Sequence, residues 1–160
     1  GRPMTEVRFY HLLERPLEAV LPVMLARCLE RGWRAVVRGG NPARLDALDR
    51  ILWTHDEESF LPHGRAGAAP GAPADHPIWL TEGEELPNAP DTLFLIDGAA
   101  AGPAALSPFG TVALLFDGTD AAATERARAA WRAVTAAGMH AVYWAEDGRG
   151  GWAKRAEAGG

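Results

Sequence analysis

The histidine, acidic and nucleophilic side chains could perform catalysis or bind a metal, but their spacing suits neither task. No two of the five histidines share the three- or four-residue spacing of a helical metal site. They are His11, His55, His63, His76 and His140. An exposed loop explains the acidic run at 56–58 after His55 more simply than a metal cluster does. Ser59 and Ser107 lack the Gly-x-Ser-x-Gly setting of a nucleophile, and the apolar helical pattern around Cys28 predicts burial. We therefore predict no catalytic centre and no metal site.

Phosphate binding is a second chemistry that such a chain could perform, through the backbone amides of a glycine-rich loop. The sequence has no Gly-x-x-x-x-Gly-Lys-Ser/Thr motif, and the glycines at 39–40 lack the third glycine of a dinucleotide loop. Asp97 and Asp117 do stand at the ends of predicted strands, where α/β enzymes bind substrates. We predict no cofactor. A nucleotide-binding α/β enzyme, with its substrate near residues 39–41, Asp97 or Asp117, is the alternative hypothesis.

Two groups of aromatic residues remain. Trp53 follows a predicted helix, and Phe60, Pro62 and His63 come after an acidic stretch. These aromatic side chains either complete the core or form an exposed pair of the kind that anchors protein interfaces.

The last predicted helix carries the second group. Thr124, Arg128, Trp131, Arg132 and Thr135 recur at three- and four-residue steps, which places them on one helix face. This face is either an ordinary solvated surface or a cradle for an acidic peptide. Arginine can bind carboxylates through two parallel hydrogen bonds, and an indole ring can pack against an apolar side chain.

The elements that position these residues alternate between strand and helix patterns, which is typical of a parallel α/β sheet. Strands are predicted at 6–11, 33–37, 77–80, 91–96, 111–116 and 139–145, and helices from Pro16 to Gly32, from Pro42 to Leu52 and from about 120 to 137. The predicted fold is a three-layer Rossmann-like α/β domain with a mostly parallel central sheet. We expect residues 4–160 to form this single domain, with a flexible loop at about 64–76, and we interpret residues 1–3, ahead of Met4, as an expression remnant.

Composition excludes several classes of protein. The chain has 160 residues, of which 48% are hydrophobic and 23% charged, as in an ordinary globular domain. Its net charge of −5 argues against wrapping nucleic acid, although six tryptophans leave direct binding of single-stranded DNA as a weaker hypothesis. Residues 121–160 carry more basic than acidic side chains, so a small basic site that binds an acidic partner near the end of the chain remains a hypothesis. With no signal peptide or membrane segment, we expect a cytoplasmic protein.

Three segments resemble the chi subunit family of bacterial DNA polymerase III. The most specific is the segment from Leu52 to Gly64 (LWTHDEESFLPHG). The opening strand, 8–12 (RFYHL), and the ending, 143–152 (YWAEDGRGGW) followed by Lys154, are also similar to that family. The segments occur in the family's order and at fitting distances, so the resemblance covers nearly the whole chain.

The resemblance implies a non-catalytic adaptor on the clamp-loader side of the replicase, with an α/β fold. One face would meet the psi subunit, and in some bacteria a helicase would compete for it. A separate face would bind the acidic, aromatic-tipped C-terminal tail of the single-stranded-DNA-binding protein. Carried over by position, the psi or helicase face comprises Trp53, Phe60, Pro62 and His63. The tail face comprises Arg128, Trp131, Arg132, Thr124 and Tyr143.

The tail face departs from the family pattern at three positions. Thr124 and Arg132 stand where lysine is often met, and Trp131 stands where tyrosine is. Arg132 keeps the charge and Trp131 keeps the aromatic ring. Thr124 removes one cation, which implies a weaker attraction for an acidic tail.

Overall fold

The computed structural model describes residues 5–54, 61–68 and 71–160. Within those residues the strands are β1 (Glu6–Leu12), β2 (Ala35–Gly39), β3 (Gly64–Arg65), β4 (Ile78–Thr81), β5 (Thr92–Ile96), β6 (Thr111–Asp117), β7 (His140–Glu146) and β8 (Trp152–Ala158). The helices are α1 (Leu17–Glu30), α2 (Pro42–Trp53), α3 (Pro103–Leu106) and α4 (Ala121–Ala136). A 3₁₀ turn spans Pro73–Asp75.

All eight strands of the described residues form one sheet, in the order β3-β4-β2-β5-β6-β1-β7-β8. The neighbouring strands run parallel except for β7 and β8, which are antiparallel. From the centre of the sheet the chain leaves β1 towards β2 and leaves β6 in the opposite direction towards β7. The predicted α/β fold class with a mostly parallel sheet is therefore confirmed.

Helices cover both faces of the sheet and create two apolar layers. On one face, leucines of α1 and α2 such as Leu21 and Leu48 pack against β2 and β5. On the other face, Leu106 of α3 and Val134 of α4 pack with Phe9 of β1. Every residue of β2 and β5 is buried, as expected of interior strands that are covered on both sides.

Local sequence signals account for where the helices begin. The side chain of Asn41 accepts hydrogen bonds from the amides of Ala43 and Arg44 at the start of α2, with Pro42 in the first turn. Asp120 caps α4 in the same way. Helix α1 continues through Pro22, so this proline does not end the helix.

The prediction that 139–145 is the last strand is wrong, since β8 follows β7. Strand β8 lies at the edge of the sheet and consists mainly of alanine and charged residues, which have low β propensity and are common on protected edges. Helix α3 was also missed. The segment 64–76 contains β3 and the 3₁₀ turn, and its flexibility stays a prediction. Within the described ranges no helix is long and apolar enough to span a lipid bilayer.

Candidate functional site

Helix α4 carries three exposed arginines, and two of them, Arg128 and Arg132, lie near the same glutamate. Arg128 and Arg132 are 67% and 64% exposed, and both approach the carboxylate of Glu125, at 4.0 Å and 3.5 Å. Ion pairs this exposed contribute little to stability, about 0.2–1 kcal/mol each. An incoming acidic group can therefore displace Glu125 at small cost. Glu125 is not among the predicted residues, although its spacing from Arg128 and Arg132 on the same helix could have revealed it.

An aromatic cluster lies beneath these arginines. The half-buried ring of Trp131 packs edge-on against Phe9, at 5.3 Å between centroids, and against Tyr143 at 6.0 Å. Phe9 and Tyr143 are also stacked, because β1 and β7 pair in a register that places them side by side. The cluster fixes the indole at the surface and leaves part of it accessible. We call Arg128, Trp131, Arg132 and Tyr143 the α4 surface.

His11 completes the cluster through a hydrogen bond. Its Nδ1 lies 2.7 Å from the hydroxyl of Tyr143, and its ring packs on Phe116. Burial lowers the pKa of His11, and the positive charge of Arg128 lowers it further. Burial raises the pKa of Tyr143. Both side chains are therefore neutral near pH 7, and the positive charge of the surface comes from the arginines. The alternation of the opening strand, which puts His11 on the same face as Phe9, could have revealed this residue.

Thr124 differs from the other predicted residues of this surface. Its hydroxyl oxygen is buried and has no hydrogen-bond partner among the residues described. The structure therefore brings Arg128, Trp131, Arg132 and Tyr143 together but turns the polar atom of Thr124 inward.

The second predicted surface lies at the end of α2. Trp53 is 48% exposed, and its ring meets that of His63 at 5.2 Å. Pro62 is exposed, whereas His63 is buried, with Nε2 2.7 Å from an Asp49 carboxylate oxygen and Nδ1 2.7 Å from the Leu61 carbonyl oxygen. His63 is therefore a buried residue that links the segment 61–63 to α2, and not part of the exposed surface. We call Trp53 and Pro62 the Trp53 surface; Phe60, predicted with them, lies outside the described residues.

The two surfaces lie on opposite faces of the sheet. Helix α2 belongs to the apolar layer that contains α1, and α4 belongs to the other layer. A partner on one surface would therefore leave the other accessible.

A cleft of about 910 Å³ opens at the carboxyl ends of β1, β5 and β6, where the alternative hypothesis had placed a substrate. Its rim is charged, and several of these charged groups have partners. Arg44 donates to Asp97 at 3.1 Å and also contacts Glu18. Asp117 accepts two hydrogen bonds from Thr119, and these hold the pKa of its carboxyl below the ordinary range. Across the residues that the structure covers, no three His, Cys, Asp or Glu side chains are grouped as a metal ion requires.

The sheet order and the helices on both faces define a three-layer, doubly wound α/β protein. The chain belongs to the DNA polymerase III chi subunit family, since the model of that family ("DNA polymerase III chi subunit, HolC") matches residues 4–142. It is also similar to a curated protein of Rickettsia prowazekii (strain Madrid E) named "Probable DNA polymerase III subunit chi". The two are 28% identical over 94 residues, which are 58% of this chain and 55% of that protein. The matched region thus spans about half the length of this relative.

Proposed function

We propose that this chain is a non-catalytic accessory subunit that links the clamp loader to protein-coated single-stranded DNA during replication. In this proposal the α4 surface binds the acidic C-terminal tail of the single-stranded-DNA-binding protein. The observation that carries it is the exposed pair Arg128 and Arg132 on the same helix as an indole that the aromatic cluster holds in place. Family membership supports the same role.

The chemistry of the α4 surface suits a weak and reversible contact. Two exposed guanidiniums add little binding energy by themselves, whereas a partly buried aromatic anchor adds more. Together they predict a roughly micromolar Kd that rises with salt, because exposed charges are screened. Many such tails on one coated strand would raise the apparent affinity without strengthening any single contact.

Replacing Arg128 with alanine should weaken tail binding by about tenfold, because the variant loses a charge-assisted hydrogen bond to a peptide carboxylate. The measurement is a titration with a labelled peptide that copies the tail of the same organism's single-stranded-DNA-binding protein, at low and high salt. Arg27→Ala is the matched control, since it removes the same exposed charge from α1 on the opposite face. Equal affinity for Arg128→Ala and the unmodified protein would contradict the proposed site.

The Trp53 surface is the second half of the proposal and would bind the psi subunit. An exposed tryptophan beside an exposed proline offers apolar area next to an ordered segment, which the amide of Leu61 holds to the carbonyl of Leu52 at 3.0 Å. A helicase that competes with psi would use the same apolar area.

Trp53→Ala should weaken psi binding by about tenfold through the loss of apolar contact area, and should leave tail binding unchanged. Co-elution of the purified subunits checks the first expectation, and the tail titration checks the second. Arg128→Ala serves as the reciprocal control, because it should retain psi. Loss of both interactions in Trp53→Ala would mean that Trp53 supports the fold rather than a partner.

A further inference from the structure

The loop between β1 and α1 holds an anion, and that anion is a side chain of the protein itself. The Oε2 atom of Glu146, the last residue of β7, accepts hydrogen bonds from three successive amides: Leu13 at 2.6 Å, Glu14 at 2.7 Å and Arg15 at 3.2 Å. The Oε1 atom accepts a fourth from Arg15 Nε at 2.6 Å. We call residues 13–15 the amide loop. Successive amides that converge on one point form an anion-binding concavity.

The carboxylate is held tightly in this position. Glu146 is only 6% exposed, and burial by itself would raise the pKa of its carboxyl. The hydrogen bonds from Arg15 and from the amides outweigh that effect and lower the pKa to about 2. Glu146 is therefore ionised at neutral pH inside a site that fits an oxyanion.

The place of the amide loop in the fold is that of a phosphate site. In doubly wound sheets, ligand phosphates bind in the turn after the first strand, outside the carboxyl ends of the strands and where the chain changes direction. Strands β1 and β6 are neighbours in the sheet, and the connections that follow them leave in opposite directions. The amide loop lies at the carboxyl end of β1, at this change of direction. The amide loop also lines the cleft of about 910 Å³.

One donor of the site has no acceptor. Arg15 Nη2 is buried and has no hydrogen-bond partner within the part of the chain that the structure describes. Oε2 of Glu146 accepts from the amide loop and Oε1 accepts from Arg15 Nε, but neither oxygen is bonded to Nη2. A tetrahedral oxyanion has further oxygens that could reach this unpaired donor.

We propose that the amide loop is a binding site for phosphate-type oxyanions and that Glu146 occupies it as an internal ligand. A tethered carboxylate competes at a far higher effective concentration than a dissolved anion does. The unmodified protein consequently excludes phosphate groups from this end of the cleft. The proposal is independent of the partner surfaces on α4 and at Trp53.

The test removes the internal ligand and supplies an external one. Glu146→Ala should gain phosphate binding, with half-saturation at roughly millimolar inorganic phosphate and a rise of about 5–10 °C in its unfolding midpoint at 100-fold excess over Kd. Each titration is compared with sodium chloride at equal ionic strength. Amide resonances of residues 13–15 in a ¹⁵N spectrum should shift with phosphate only in this variant.

Two variants of this chain serve as controls for general salt effects, since phosphate stabilises most folded proteins slightly. Glu157→Ala removes an exposed glutamate of β8, and Glu146→Gln keeps a side chain of the same size in the site. Neither should gain phosphate binding, and neither should the unmodified protein. A phosphate response in Glu146→Ala no larger than in these proteins would overturn the proposal. If Glu146→Ala is unfolded in chloride, phosphate should restore its native circular dichroism spectrum, and failure to restore it would also overturn the proposal.

Discussion

Replacing Glu146 with glutamine should lower the free energy of unfolding by about 3 kcal/mol at pH 7, since each pKa unit corresponds to about 1.4 kcal/mol. The pKa of Glu146 falls from the ordinary 4.5 to about 2, because hydrogen bonds from Arg15 and three amides outweigh the effect of burial. Glutamine preserves the size of the side chain but removes the negative charge that strengthens the hydrogen bonds from those donors. It also directs an amide group towards donors that need an acceptor.

The loss of stability in Glu146→Gln should depend on pH, and the lowered pKa of Glu146 determines whether it grows or shrinks as the pH falls. A carboxyl whose pKa is lower in the folded state stabilises the protein fully above its unfolded value and loses this contribution as the pH falls through its folded value. The difference between the unmodified protein and Glu146→Gln should therefore be constant above about pH 4.5 and shrink towards pH 2.

Urea unfolding at pH 7, 5 and 3 checks both expectations. Other acidic side chains also titrate in this range, so the quantity to compare is the difference between the two proteins at each pH. Glu157→Gln is the control, because Glu157 is exposed and pairs with His140 and Lys154 at the surface; it should change the free energy of unfolding far less than Glu146→Gln does. A pH-independent difference for Glu146→Gln would show that the effect comes from packing and not from charge.

Glu146 also shows what the sequence could not predict. Its partners in the amide loop are separated from it by more than 130 residues, and no local pattern relates the two segments. Helix starts are different, since the signals at Asn41 and Asp120 lie within a few residues of the amides that they cap. The apolar runs at 91–96 and 111–116 likewise predicted β5 and β6. The predicted burial of Cys28 is confirmed, since it is 6% exposed.

The candidate surfaces also contain some features that local spacing predicts and others that depend on contacts between distant segments. Helical spacing was enough to place Arg128, Trp131 and Arg132 together, and the resemblance in segment 52–64 is confirmed as family membership. The hydrogen bond between His11 and Tyr143 depends on the pairing of β1 with β7, which spacing along the chain does not specify. The inward hydroxyl of Thr124 depends on how α4 packs on the sheet. Edge strand β8 was missed because its composition does not distinguish it from a loop.

Trp131→Ala should weaken tail binding by about thirtyfold, more than Arg128→Ala, because Trp131 joins the exposed surface to the aromatic cluster. The variant loses the anchor for the peptide as well as the ring contacts with Phe9 and Tyr143. The lost contacts should also lower the free energy of unfolding by about 2 kcal/mol, less than for a fully buried tryptophan.

Two further variants separate the binding effect from the effect on stability. Trp131→Tyr keeps an aromatic ring and should retain affinity within about threefold, less than 1 kcal/mol. Val134→Ala truncates a side chain of α4 that is 2% exposed, and should lower stability by about 2 kcal/mol while leaving tail affinity unchanged. Peptide titration and urea unfolding of all three variants provide the comparison. If Val134→Ala weakened tail binding as much as Trp131→Ala, the indole would act through the integrity of α4 and not as an anchor. If only Trp131→Ala lost affinity, direct contact between the indole and the tail would account for the loss.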